Sequence, residues 1–183
     1  MYSRNEYSRL KKVLVGDATG SKVPNIDISA RCVNYSDKLS DTDVPPAGPY
    51  PKQVIDQANE DIEIFINFLE KENIVVCRPN NDHDPDYSKF CPRDTIFVHG
   101  EHSLFAPMAI RARQHEHKAY SHVLNDTKQF EIARNNNLYN KQCLGNKNIL
   151  ALTESEPCFD AANILKDNEH VYYLVSNSGN RKG

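Results

Sequence analysis

Between Val54 and Leu69 apolar residues return every three or four positions, as Val54, Ile55, Ala58, Ile62, Phe65, Ile66 and Leu69, with acidic residues set between them. That period draws one apolar stripe along a helix and predicts scaffold covering one face of a sheet. Pro51 suits the first helical position, where its missing N–H would have had no partner. Asn73 can close the helix in a left-handed conformation. Elsewhere the pattern shortens to apolar runs at residues 12–16, 74–77 and 171–175, bounded by glycine or polar residues, and these read as strands. Residues 95–98 and 103–106 make two more, joined by a tight turn through Gly100. Residues 111–124 are expected to be helical, with a further short helical segment near 161–166. Three stretches, 17–49, 80–89 and 135–148, show no period and are expected to be loops, the first long enough to run over the surface as a lid.

A chain of 183 residues fits one domain, spanning 1–183. Its net charge of −3 gives no electrostatic reason to expect nucleic acid. No run of about 18 apolar residues is present to span a membrane, and the first residues lack the apolar core of a signal peptide. A soluble cytoplasmic protein is expected. Five cysteines, odd in number and without a CxxC pair, argue against a disulfide framework and a zinc site. Cys158 is read as a packing residue. The histidines do not make a metal site either: His115 and His117 stand two apart, His99 and His102 flank a turn, and His83 lies in an acidic loop without ligand spacing.

Two acids sit where chemistry could use them. Asp160, in the stretch EPCFDAAN at 156–163, stands between a bulky aromatic and two alanines at an expected strand-to-helix turn. One reading makes it a helix N-cap. The other makes it a partly desolvated carboxylate that either faces a cation or has a raised pKa. Asp94 follows Pro92 and Arg93 at the edge of an apolar run. If Arg93 and Asp94 lie on a strand they face opposite sides, which leaves Asp94 free for a ligand.

PRD at 92–94, APMAIRAR at 106–113 and EPCFDAAN at 156–163 follow one another in an order that resembles the amidinotransferases. The resemblance covers nearly the whole chain but only the first half or so of a family member. It implies an α/β fold, a pentein-like partial propeller of ββαβ modules truncated before the C-terminal half. The implied activity is transfer of the amidino group of L-arginine to an amine acceptor, glycine, giving ornithine and guanidinoacetate. A guanidinium is a planar fork that carboxylates engage in pairs of hydrogen bonds. By resemblance Asp94 helps hold it, and Asp160 is the acid of a catalytic Cys-His-Asp set. The family's HxD histidine and its cysteine lie beyond residue 183, so the chain alone is expected to be inactive, and Asn163 stands where the family usually has a second aspartate. No cofactor or metal is implied. The implied partners are small molecules and either a C-terminal half or a second copy of the chain; nucleic acid and membrane are not among them. Two alternatives stay open, a non-catalytic guanidinium-binding fragment and a hydrolase acting on guanidino groups. Unpaired strand edges and apolar faces should leave the chain marginally stable or self-associating.

Overall fold

The computed structural model describes the chain except for Leu39, Asn81, His83, residues 133–137 and the side chain of Asp41. The elements in chain order are β1 (Lys12–Leu14), β2 (Lys22–Val23), α1 (Ile28–Asn34), β3 (Gly48–Pro49), α2 (Lys52–Lys71), β4 (Val75–Cys77), α3 (Pro92–Thr95), β5 (Ile96–His99), β6 (His102–Phe105), β7 (Lys128–Glu131), β8 (Ile164–Asp167) and β9 (His170–Tyr173). They form a mixed α/β structure with small sheets: β1 pairs with β4 in parallel, β2 with β3 antiparallel, β5-β6-β7 make three strands, and β8 and β9 make a hairpin.

The apolar period becomes α2. Its stripe buries Ile66 and Leu69 against Val13, Val15, Ile74 and Val76, so the helix lies over the β1–β4 pair as the period requires. Val54 and Phe65, on the same expected stripe, stay about half exposed. Pro51 takes the N-cap position, one residue earlier than the pattern suggests. Asn73 adopts φ 60°, and the backbone N–H of Ile74 returns to Leu69 O at 3.1 Å before β4 begins.

The expected hairpin is β5 and β6, with Phe97 opposite Leu104 and Val98 opposite Ser103. Gly100 supplies the left-handed φ of 59° that the turn needs. Strand β7 adds in parallel to β6. Two apolar clusters lie against this sheet. One joins Ile96 and Phe105 to Ala119, Tyr120 and Leu124; the other joins Ala106 and Met108 to Phe159, Ala161 and Ile164. The second brings the APMA and FDAA stretches together, with Phe159 N–H donating to Pro107 O at 3.1 Å.

Three expectations need correction. The stretch 17–49 is not a loop throughout: α1 forms within it, capped by Asp27, which accepts from Ser29 N–H at 2.9 Å and Ala30 N–H at 3.1 Å. Residues 111–124 do not form one helix but three 3-10 turns, Arg111–Arg113, Glu116–Ala119 and Ser121–Leu124. Arg113 closes the first of these turns and Glu116 opens the second, and the link between them lets Arg113 reach Glu116. Near 161–166 only the turn Ala161–Asn163 is helical; β8 then starts at Ile164, with Ile164 and Lys166 buried and Leu165 outward.

Among the described residues no helix is long and apolar enough to cross a membrane. No group of three or more His, Cys, Asp or Glu among them could hold a metal ion. His99 and His102 face each other across the hairpin, and His115 and His117 have ring centroids 6.5 Å apart. His83 lies outside the described residues.

Candidate active site

Asp160 is fixed by its backbone. Its N–H donates to Ser178 O at 2.9 Å, and its carbonyl accepts from Asn163 N–H at 2.9 Å, which opens the turn Ala161–Asn163. Asp160 therefore occupies the cap position, but its side chain makes no cap hydrogen bond. The carboxylate instead lines a cavity of about 410 Å³ with Arg113, Tyr87, Asn34 and residues 176–178. Burial lifts the Asp160 carboxyl from the ordinary 3.8 to about 6. The Arg113 guanidinium pulls the other way, the Asp94 charge adds to the rise, and the Ser178 side chain and Ala109 N–H favour the charged form.

That raised value has a consequence for stability. Between about pH 4 and pH 6 the unfolded chain has released the Asp160 proton while the folded chain still holds it, so stability falls as pH rises through this window. The span from 3.8 to about 6 corresponds to a loss of about 3 kcal/mol. Urea titrations at pH 4.5 and 6.5 should show the wild-type midpoint dropping relative to that of Asp160→Asn. Parallel pH dependence of the two chains would rule out a raised Asp160.

Asp94 corrects the strand reading. Residues 92–95 are the single turn α3, and both neighbours are already engaged. Arg93 donates from Nη1 to Ala161 O at 3.0 Å and from Nη2 to Ile164 O at 2.8 Å, with Glu6 3.8 Å away. It thereby clamps the turn that follows Asp160. Asp94 is not free: its Oδ2 accepts from Arg113 Nη1 at 2.9 Å. Among the described residues its Oδ1 has no hydrogen-bond partner. The two aspartates thus meet around Arg113. Asp160 and Arg113 share the cavity wall, whereas Asp94 reaches the site through Arg113 and does not line the wall.

Arg113 is buried and also donates from Nε and Nη2 to Glu116 Oε2 at 3.0 and 2.9 Å. Glu116 Oε1 accepts from Ser88 N–H at 3.2 Å and faces Ser88 Oγ at 3.4 Å. Burial acts against the Arg113 charge, but Glu116 and Asp94 outweigh it and hold the guanidinium above its ordinary value. Burial likewise pushes the Glu116 carboxyl up, and Arg113 only partly pulls it back. The sequence pattern did not single out Glu116, Tyr87 or Ser178. The Arg113-x-x-Glu116 spacing was a usable signal for the first; nothing local marked the other two.

The cysteines do not supply a nucleophile at this site. Cys158 is fully buried beside Ala109, Leu138 and Leu152, in agreement with a packing role. Cys91 precedes α3, and burial pushes its thiol up to about 11, so it stays protonated at neutral pH.

No protein-family model matches the chain. It is 32% identical to inosamine-phosphate amidinotransferase 1 of Streptomyces glaucescens over 200 residues, covering 98% of this chain and 56% of that protein. It is 27% identical to the mitochondrial glycine amidinotransferase of Gallus gallus over 210 residues, covering 99% of this chain and 50% of the relative. Among solved structures, inosamine-phosphate amidinotransferase from Streptomyces griseus superposes with a TM-score of 0.89 at 30% identity, covering 100% of this chain and 57% of that one. An amidinotransferase of the saxitoxin biosynthetic pathway from Microseira wollei superposes with a TM-score of 0.79 at 27% identity, covering 100% of this chain and 56% of that one. The chain spans about half the length of the curated relatives it matches. Along its whole length, the chain is a relative of the amidinotransferases.

Proposed function

We propose that this chain supplies the carboxylate side of an amidinotransferase site and binds the guanidinium of L-arginine at Asp160, with Asp94 supporting the site from behind through Arg113. The observation that carries this reading is the Asp160 carboxylate, turned into a cavity with no cap bond to occupy it while Arg93 fixes the turn behind it. A cation entering that cavity would favour the ionised form that burial resists.

In the full reaction a cysteine thiolate attacks the guanidinium carbon to form a C–S bond. The C–N bond to ornithine then breaks, and a histidine protonates the departing amine. The amine of glycine next attacks the amidino carbon, gives up a proton to the now neutral histidine and releases the thiolate, giving guanidinoacetate. Asp160 orients and supports the cation in both steps. By family resemblance the histidine and cysteine belong to the part of the relatives that this chain does not span, and turnover would draw on that part. The full assembly would be a propeller of ββαβ modules, of which these small sheets form part.

The remainder of such an assembly, or a second copy, would cover the outward apolar residues Leu165 and Tyr172 on the β8–β9 hairpin and Leu174 just after it, each more than half exposed. The chain alone should therefore self-associate. A concentration-independent monomer by sedimentation would contradict this. The five cysteines are free thiols, which fits a reducing compartment, and we place the chain in the cytoplasm.

The deciding experiment adds the missing half of a relative and feeds L-arginine with and without glycine. Ornithine plus guanidinoacetate is the expected result; citrulline without acceptor would make the assembly a hydrolase. The second reading, a non-catalytic guanidinium-binding fragment, draws on the protonated Cys91 and buried Cys158. Arginine binding without any product would favour it.

A further inference from the structure

Asn163 stands two residues past the Ala161 that Arg93 clamps, and its amide reaches back under the site. Its Nδ2 donates to Ser176 Oγ at 3.1 Å and to Ser178 Oγ at 3.4 Å. Ser176 Oγ also accepts from Ser178 N–H at 3.1 Å. A hydroxyl oxygen has two lone pairs and one proton. Both lone pairs of Ser176 are then filled, so in its 3.3 Å contact with Ser178 Oγ the Ser176 hydroxyl must be the donor. Ser178 Oγ in turn accepts from Asn163 and Ser176, which leaves its own proton for the cavity whose wall it shares with Asp160. Gly179 makes room for this: a Cβ there would meet Asn163 Nδ2 at 2.3 Å and Tyr173 Oη at 2.6 Å.

We infer that Asn163 is a positioning residue that acts through Ser176 and Ser178 to aim the Ser178 hydroxyl proton at the Asp160 carboxylate. The inference rests on the reading of Asp160 as the reactive carboxylate. An aspartate at 163 could not play this part. It would accept from the two serines instead of donating to them, reverse the chain, and add a second negative charge near Asp160. The neutral amide keeps a single acid in the pocket and supplies it with a directed donor. The other groups acting on Asp160 are Arg113 from the first 3-10 turn, Asp94 from α3 and the Ala109 N–H, with Tyr173 of β9 and Tyr87 on the cavity wall nearby. None of them bonds to Asn163.

The test is an NMR titration of the Asp160 carboxyl in the full chain, which needs no arginine and no second half. Its outcome is therefore separate from whether the chain binds a guanidinium. Asn163→Ala should move the midpoint from about 6 toward about 7, and Ser178→Ala should do the same. In the Ser178→Ala background, Asn163→Ala should add no further shift. Asn163→Asp should raise the midpoint most, because it removes the donor and adds a charge. An unchanged midpoint in Asn163→Ala, or the same shift with and without Ser178, would overturn the inference. Gly179→Ala provides a control that removes no polar atom: by displacing the Asn163 amide it should reproduce the Asn163→Ala midpoint, and a wild-type midpoint in that folded variant would count against the relay.

Discussion

Arg113→Met is expected to destabilise the chain by about 3–5 kcal/mol at neutral pH, because removing one member of a buried ion pair leaves the other uncompensated. Glu116 is the residue left behind, with its side chain only 1% exposed. The two Ser88 contacts on Oε1 cannot replace the three N–H groups that Arg113 gives to Glu116 and Asp94. In the variant burial acts on Glu116 with only Ser88 opposing it, and its carboxyl holds a proton to higher pH. A raised folded-state value contributes stability that is present at low pH and lost as pH rises, so the damage should be smaller at pH 5 than at pH 8. Replacing Glu116 as well, by leucine, should return much of the loss, since an apolar pair leaves no unpaired charge. Urea unfolding at the two pH values measures all three chains. A single variant with a wild-type midpoint would show that the pair carries no stability.

Asp160→Asn should separate activity from folding in the opposite sense. In the chain joined to the missing half of an amidinotransferase, turnover should fall by at least about 10²-fold, the scale on which positioned acid–base groups act. At pH 7 the same change should raise the urea midpoint, because it removes a carboxylate whose charged form burial disfavours. Gain of stability with loss of function is the pattern of a site held ready for a ligand. Unchanged turnover would return Asp160 to a capping role. An N-cap loses only about 0.5–2 kcal/mol on replacement, and here no cap bond is made.

What could be read from the sequence follows from how each element is held. Helix α2 and the β5–β6 hairpin were legible because their burial repeats along the chain and their ends carry residues with a specific backbone requirement, Asn73 and Gly100. Helix α1 was not, since seven residues give too little period, although Asp27 two positions before Ser29 was a capping signal in plain view. Strand β7 is exposed along its whole length and has no alternation to detect; it exists because β6 offers it an edge. The site divided in the same way. Asp160 was singled out with a cap and a desolvated carboxylate both left open, and it stands at the cap position without a cap bond, on a cavity wall. Asp94 was identified as well, but its partner was sought outside the protein when Arg113, nineteen residues on, already held it. Ser178 could not be found locally: it meets Asp160 because the chain runs out through β8 and back through β9 before returning.

The Arg93 clamp also bears on how such a site could be rebuilt elsewhere. With Nη1 on Ala161 O and Nη2 on Ile164 O, it ties two distant segments of the chain into one rigid unit by hydrogen bonds to main-chain oxygens. Such bonds are indifferent to which side chains surround them. A transplanted Asp160 loop would lose its shape unless residues 91–95 travelled with it, and a lysine at 93, which lacks the two-pronged geometry, could brace only one of the two carbonyls.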